Sequence, residues 1–175
     1  MVHISFDSAF TKLVDVNAEV KQLVTGCQFT EGPVWNPTES FLFFSDIPGD
    51  VRYSWDADIG LKEVQRPNHK GNGMTYDANL NLLVCEHETS RVVRFEPDGT
   101  ETIIADYFEG KQLNSPNDIV VHSDGSIWFT DPTYGRMEGF GIERSSELGF
   151  QGVYQLPPGA YEPKLMVNRT TFDQP

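Results

Sequence analysis

The sequence is poor in basic residues and in long apolar stretches. Its 175 residues include 13 lysines and arginines against 26 aspartates and glutamates, which gives a net charge of −13 at pH 7. This surplus of negative charge argues against nucleic acid or an anionic membrane as a partner, and it suits a cation. No run approaches the roughly 18 apolar residues of a membrane-spanning helix, and the first residues lack the pattern of a signal peptide. We therefore expect a soluble protein.

Cysteine is also scarce. Cys27 and Cys85 are isolated and lack the spacing of metal ligands. We interpret them as small buried apolar side chains rather than as a disulfide, which predicts a reducing compartment and hence a cytoplasmic location. Apolar residues make up 38% and aromatic residues 12% of the chain. That composition is typical of one folded domain with a core.

One unit of sequence occurs three times. A polar residue precedes a short apolar run, a polar turn, a second apolar run and an acidic or polar end, as in TEGPVWNPTESFLFFSD, GNGMTYDANLNLLVCEH and PNDIVVHSDGSIWFTD. The equivalent residues Glu31, Asn72 and Asn117 are 41 and 45 positions apart. A period of about 40–50 residues is typical of the blades of a β-propeller.

The strands in each repeat predict an all-β fold, a β-propeller of four-stranded blades. Apolar and alternating runs separated by turn residues such as Asp-Gly place the blades at about 29–66, 72–106 and 117–168. A further strand over 19–25 is predicted to close the ring. The third blade carries a polar, glycine-rich insertion at 134–150. We expect it to project over the binding face, the alternative being a disordered surface loop.

The repeat also predicts a site. The starts of the innermost strands of a propeller converge near its axis, so Glu31, Asn72 and Asn117 are expected to face one another across a channel. One carboxylate and two amide oxygens form a hard donor set that suits Ca²⁺ or Mg²⁺ better than Zn²⁺. The alternative for the two asparagines is that they cap turns before their strands.

Four more residues are candidates around this set. We assign a catalytic role to Asp118, which follows Asn117 and would orient that side chain or an attacking water; a structural cap is the alternative. His87, Asp131 and Tyr134 lie at the ends of second strands, where they would line a substrate pocket together with Asn72. An exposed or packed histidine is the alternative for His87.

Several runs form a combination more specific than any one of them: FTEGPVWNP, FFSDIPG, NGMTYD, LLVCEH, RVVRFEPDGT, LNSPNDIVVHSDGSIWFTDPTYG and GVYQL. Together they resemble the gluconolactonase branch of the SMP-30/gluconolactonase/LRE (regucalcin-like) family, over about residues 6–175. This resemblance implies a six-bladed β-propeller with one divalent metal in its central channel and the hydrolysis of lactones, including sugar lactones. It implies that Glu31 is a metal ligand and that Asn117 lies at the metal or contacts the substrate.

The chain departs from the family pattern because only three repeats fit. The resemblance places another metal ligand and a candidate general base beyond Pro175, and Ser115 stands where other branches have a substrate-binding arginine. We expect a metal-dependent hydrolase of sugar lactones that uses Ca²⁺, with Mg²⁺, Mn²⁺ or Zn²⁺ as alternatives. The competing hypothesis is a catalytically incomplete half-propeller that binds calcium or serves as an interaction module. Two copies joined as a homodimer would restore six blades.

Overall fold

The structure is a computed structural model that describes residues 6–168. It contains three four-stranded antiparallel sheets whose strands follow one another in chain order. The first sheet comprises β1 (Thr30–Asn36), β2 (Phe41–Asp46), β3 (Val51–Asp56) and β4 (Gly60–Gln65). The second comprises β5 (Gly71–Tyr76), β6 (Leu82–Glu86), β7 (Arg91–Phe95) and β8 (Glu101–Ala105).

A short hairpin, β9 (Tyr107–Phe108) and β10 (Lys111–Gln112), leads to the third sheet. That sheet comprises β11 (Ile119–Val121), β12 (Ile127–Asp131), β13 (Gly152–Leu156) and β14 (Lys164–Asn168). The sheets are consecutive blades of a β-propeller, which confirms the predicted fold class. Two 3-10 turns, Ser8–Lys12 and Tyr134–Arg136, complete the regular structure of the described part of the chain, in which no helix is long and apolar enough to cross a membrane.

The inner strands of neighbouring blades approach very closely, with β5 packed between β1 and β11. A Cβ atom on Gly32 would lie 1.8 Å from the backbone oxygen of Asn72, and one on Gly73 would lie 2.5 Å from that of Asn117. The Gly73 N–H donates to this Asn117 oxygen at 2.7 Å. A glycine after the polar residue of the first two repeats is therefore what allows the inner strands to meet.

The apolar core lies between the blades, and β6 supplies both sides of it. Leu82 and Val84 belong to the cluster shared with the first sheet. Leu83 and Cys85 belong to the larger cluster shared with the third sheet, around Tyr154. Alternation along one buried strand thus joins three blades into one body. Burial raises the pKa of the Cys85 thiol well above its usual value. The described residues contain no disulfide, and Cys27 is half-buried.

The predicted strand over 19–25 does not form in the structure, where this segment is irregular. A strand needs a neighbouring edge to bond, and no edge of the three described sheets pairs with it. Residues 22–28 lie instead over the outer face of the first sheet and line a cavity of about 500 Å³ together with Leu42, Phe44 and Trp55. Its role in closing a ring stays a prediction.

That outer face carries a row of apolar side chains. The register of the first sheet aligns four residues across its strands: Trp35, Leu42, Trp55 and Leu61. Trp35 is 50% exposed and Leu61 is 41% exposed. No other sheet of the described chain packs on this face, because the second sheet covers the opposite one through Val34 and Phe43. The row is a surface suited to association.

We predict that the 175-residue chain associates with itself in solution through this face. Burying the row removes apolar surface from water, and a Trp35→Lys variant should shift the equilibrium toward the monomer because it places a charge in the contact. Sedimentation velocity over a range of concentrations measures both species. A sharp monomer at every concentration would contradict the prediction.

We also predict that Gly32→Ala destabilises the fold more than Gly60→Ala does. Both glycines have positive φ, +62° and +82°, but a Cβ atom on Gly60 would meet nothing within 4 Å. Alanine therefore introduces backbone strain at both positions but a steric clash only at Gly32. The clash should lower the free energy of unfolding by about 1–3 kcal/mol more than the strain alone does. Urea unfolding of the two variants measures the difference, and equal losses would show that the inner strands are less closely packed.

Candidate active site

A pocket of about 330 Å³ opens where the inner strands converge. Four of its lining residues, Glu31, Asn72, His87 and Asn117, form what we call the polar cluster. The other lining residues form what we call the apolar lining: Phe29, Ile47, Tyr134, Met137 and Phe140. The structure thus brings together five of the seven predicted site residues, all except Asp118 and Asp131.

His87 lies at the centre of the polar cluster and is only 1% exposed. Its Nδ1 is 2.9 Å from the backbone oxygen of Phe140, which can only accept, so Nδ1 carries the proton. Nε2 is then an acceptor, and it lies 3.1 Å from Nδ2 of Asn72 and 3.4 Å from Nδ2 of Asn117. Burial lowers the pKa of His87 to about 4, although the hydrogen bond to Phe140 opposes this. The ring is therefore neutral near pH 7.

The histidine determines the orientation of both amides. Because the Nδ2 atoms of Asn72 and Asn117 are turned to Nε2, their Oδ1 atoms are directed away from His87. Neither Oδ1 atom has a donor among residues 6–168. The half-buried carboxylate of Glu31 likewise has no hydrogen-bond or ion-pair partner within that range. Three oxygen-bearing side chains at one pocket thus remain available to a ligand.

Local irregularities of the inner strands present these side chains. The pairing of β1 with β2 shifts register between Glu31 and Val34, and that of β5 with β6 shifts between Gly71 and Met74. Such bulges redirect side chains next to functional sites. Asn117 precedes β11 and is held through its backbone N–H, which donates to Thr130 at 2.9 Å.

The insertion at 134–150 folds over the pocket, as predicted. Two arginines fasten it to backbone oxygens of the blades. Arg136 donates to Asn114 at 2.8 Å and to Leu113 at 2.6 Å. Arg144 donates to Glu88 at 2.9 Å and to His87 at 3.3 Å. The insertion therefore has a defined position next to the polar cluster.

Asp131 does not reach the pocket, contrary to its predicted place in it. Its buried carboxylate accepts the backbone N–H groups of Asn114 and Ser115, both at 2.8 Å. The equivalent residue of the first blade, Asp46, accepts those of Gln28 and Phe29, both at 3.0 Å. The acidic residue that ends these second strands therefore holds the segment leading into the polar cluster.

Asp118 also lies outside the lining of the pocket. Its Oδ1 accepts the backbone N–H of Ile119 at 2.9 Å, and its own N–H donates to Oγ1 of Thr130 at 3.1 Å. This arrangement favours the structural cap over the predicted catalytic role. Residues that the sequence did not single out complete the pocket: Phe29, Ile47, Met137 and Phe140.

A cation at this pocket would need the amide oxygens. Within residues 6–168, no three His, Cys, Asp or Glu side chains lie close enough together to hold a metal ion. The polar cluster offers one carboxylate and two amide oxygens, while Nε2 of His87 is engaged by the amides. This donor set fits a hard cation such as Ca²⁺ or Mg²⁺ and does not fit Zn²⁺.

Comparison with known proteins identifies the relatives of this chain. The family model described as "SMP-30/Gluconolactonase/LRE-like region" matches residues 29–172. The chain belongs to this family. A curated relative, a gluconolactonase of Zymomonas mobilis, is 27% identical over 167 residues, which cover 87% of this chain and 47% of the relative.

Solved structures of the family have the same fold. A gluconolactonase from Xanthomonas campestris is 34% identical with a TM-score of 0.77, and the match covers 81% of this chain and 48% of that one. A putative gluconolactonase is 36% identical with a TM-score of 0.85, covering 93% and 56%. A calcium-binding regucalcin from Agrobacterium tumefaciens, 14% identical with a TM-score of 0.59 over 82% and 44%, shares the fold alone. The chain spans about half the length of these relatives.

We predict that Asp131 makes stability depend on pH. Burial raises the pKa of its carboxyl from 3.8 to about 7, and the two backbone N–H donors only partly offset this. Between these two pKa values the folded chain holds a proton that the unfolded chain has lost. The contribution of Asp131 to the free energy of unfolding is therefore fully present below about pH 4 and disappears as the pH rises through 7.

Urea unfolding at about pH 5 and about pH 8 measures the effect. Over that interval, the free energy of unfolding of the wild type should fall by about 2–3 kcal/mol more than that of Asp131→Asn, because the asparagine cannot ionise. A pH dependence that is the same in both proteins would contradict the prediction.

Proposed function

We propose that this chain supplies the cation-binding side of the active site of a lactone hydrolase. The observation that carries the proposal is the set of oxygens at one pocket that have no donor among residues 6–168, namely the carboxylate of Glu31 and the Oδ1 atoms of Asn72 and Asn117. Membership of the gluconolactonase family and 34–36% identity to two gluconolactonase structures, one of them putative, support the reaction class. Sugar lactones are the substrates that this likeness suggests first.

Glu31, Asn72 and Asn117 would hold the ion, and Ca²⁺ suits their oxygens best, with Mg²⁺ or Mn²⁺ next. The net charge of −13 favours the approach of a cation. When bound, such an ion would polarise a lactone carbonyl and stabilise negative charge on its oxygen. The overall hydrolysis adds water to the carbonyl carbon, breaks the ring C–O bond and releases a hydroxy acid.

The protein side chains prepare this site in two ways. His87 holds both amide nitrogens, so the amide oxygens need no rearrangement when a ligand arrives. The apolar lining limits the access of water around the reacting carbonyl, which strengthens electrostatic interactions there. His87 itself is a positioning residue, because its Nε2 is already an acceptor for two amides.

The group that removes a proton from the attacking water is not evident among residues 6–168. Asp118 and Asp131, the two aspartates with predicted roles, do not line the pocket. We propose that this group comes from another part of the closed propeller. The same observation favours the second candidate function, a half-propeller that binds calcium or a partner without catalysing hydrolysis.

We predict that Glu31→Gln weakens Ca²⁺ binding and lactone hydrolysis together in the full-length protein. The substitution keeps the shape of the side chain and removes the only charge that the polar cluster offers to a cation. Calorimetry should show at least a 10- to 100-fold loss of Ca²⁺ affinity, since altering even an outer partner of a metal site costs about that much. Hydrolysis of glucono-1,5-lactone should fall in parallel.

Glu39→Gln is the matched control, because Glu39 is an exposed glutamate in the turn between β1 and β2. It should retain both properties. Equal Ca²⁺ affinity in the wild type and Glu31→Gln would remove Glu31 from the site. Ca²⁺ binding without turnover of any lactone would favour the non-catalytic module.

A further inference from the structure

The apolar lining offers very little hydrogen bonding to a ligand. Four of its five residues, Phe29, Ile47, Met137 and Phe140, have side chains of carbon or carbon and sulfur, and Tyr134 adds one hydroxyl. Phe29 is nevertheless 45% exposed and Met137 is 54% exposed. Apolar side chains that stay accessible around a polar centre are typical of a small-molecule site.

The two phenylalanines form a rigid pair. Their rings meet edge to face, with centroids 5.2 Å apart at an interplanar angle of 89°. Phe29 is fixed through its backbone, since its N–H donates to Oδ1 of Asp46 at 3.0 Å and its oxygen accepts the N–H of Ile47 at 3.0 Å. This side of the pair therefore belongs to the first blade.

Phe140 is fixed by the insertion. Its backbone oxygen accepts a hydrogen bond from Nδ1–H of His87, and its N–H donates to the backbone oxygen of Met137 at 3.3 Å. The next residue, Gly141, packs so tightly that a Cβ atom there would lie 1.7 Å from the backbone oxygen of Gly135. The insertion thus presents an apolar ring to the pocket at a set distance from the polar cluster.

This composition suits a substrate with few hydroxyl groups on the side next to the insertion. A hydroxyl that is buried without a partner costs about 1–3 kcal/mol. The oxygens of Glu31, Asn72 and Asn117 are assigned to the cation under the proposed function, and the hydroxyl of Tyr134 is the one side-chain hydrogen-bonding group that the described apolar lining adds. A lactone ring that carries hydroxyls on several carbons would leave some of them unpaired here.

We propose that the preferred substrate is a lactone with an alkyl or aryl substituent on its ring, seated against Phe29, Met137 and Phe140. The inference rests on the proposed function and concerns its specificity. The carbonyl would lie at the polar cluster, and the substituent would point toward the insertion. Each buried CH₂ group contributes about 0.8 kcal/mol, so a chain of several carbons produces a large preference.

The test compares kcat/KM of the full-length protein with Ca²⁺ for three δ-lactones: unsubstituted δ-valerolactone, a pentyl-substituted δ-lactone and glucono-1,5-lactone. The pentyl lactone should exceed each of the others by about tenfold or more. Phe140→Ser should abolish most of that preference through a higher KM for the pentyl lactone. The backbone oxygen that holds His87 is retained in this variant.

Phe140→Leu keeps an apolar side chain and should keep the preference, which separates loss of apolar contact from loss of folding. Tyr161→Ser is the matched control for replacing an aromatic residue by serine, because Tyr161 is 96% exposed and lies outside this pocket. This variant should keep the preference. Preference for glucono-1,5-lactone, or a pentyl preference that survives Phe140→Ser, would overturn the inference. Failure to hydrolyse all three lactones would overturn the proposed function instead.

Discussion

The close contact between the inner strands of neighbouring blades is the constraint on which the site depends. Gly32 lies against the backbone of Asn72, and Gly73 lies against that of Asn117. Any side chain at these glycines would push the strands apart. The residue before each contact is the polar one, so the packing that joins the blades also brings Glu31, Asn72 and Asn117 to one pocket. The packing of the blades and the arrangement of the pocket therefore depend on the same few backbone atoms.

One neutral histidine, His87, connects the inner strands to the insertion. Its Nε2 accepts hydrogen bonds from the amides of Asn72 and Asn117, and its Nδ1–H donates to the backbone oxygen of Phe140. A protonated ring could not accept the amide donors, which is why its burial matters for the site. Asp46 and Asp131 stabilise the fold near the pocket, because their carboxylates accept the backbone N–H groups of Phe29 and Ser115.

The sheets were predictable from sequence because their signals are local. Alternating or apolar runs and turns such as Asp124-Gly125 define the strands, and the repeat aligns equivalent positions of the blades. The repeat does not report the direction of a side chain, and the roles predicted for Asp131 and Asp118 therefore do not anticipate that both side chains bind nearby backbone. The sequence does not single out Phe140 because the insertion has no counterpart in the other repeats, and it does not single out Phe29 because that residue precedes the repeated unit. Residues 19–25 have strand propensity, but a strand also needs an edge to pair with.

The tautomer of His87 is the decisive property of the polar cluster, because the orientation of the amide oxygens follows from it. Long-range ¹H–¹⁵N correlation spectra of the protein at about pH 7 distinguish a protonated from an unprotonated ring nitrogen. We predict a neutral ring with the proton on Nδ1 and an unprotonated Nε2 that accepts from the two amides, unchanged in Phe140→Leu. A proton on Nε2 would contradict it, since the amide nitrogens of Asn72 and Asn117 would then lack their acceptor and their oxygens would turn to the histidine.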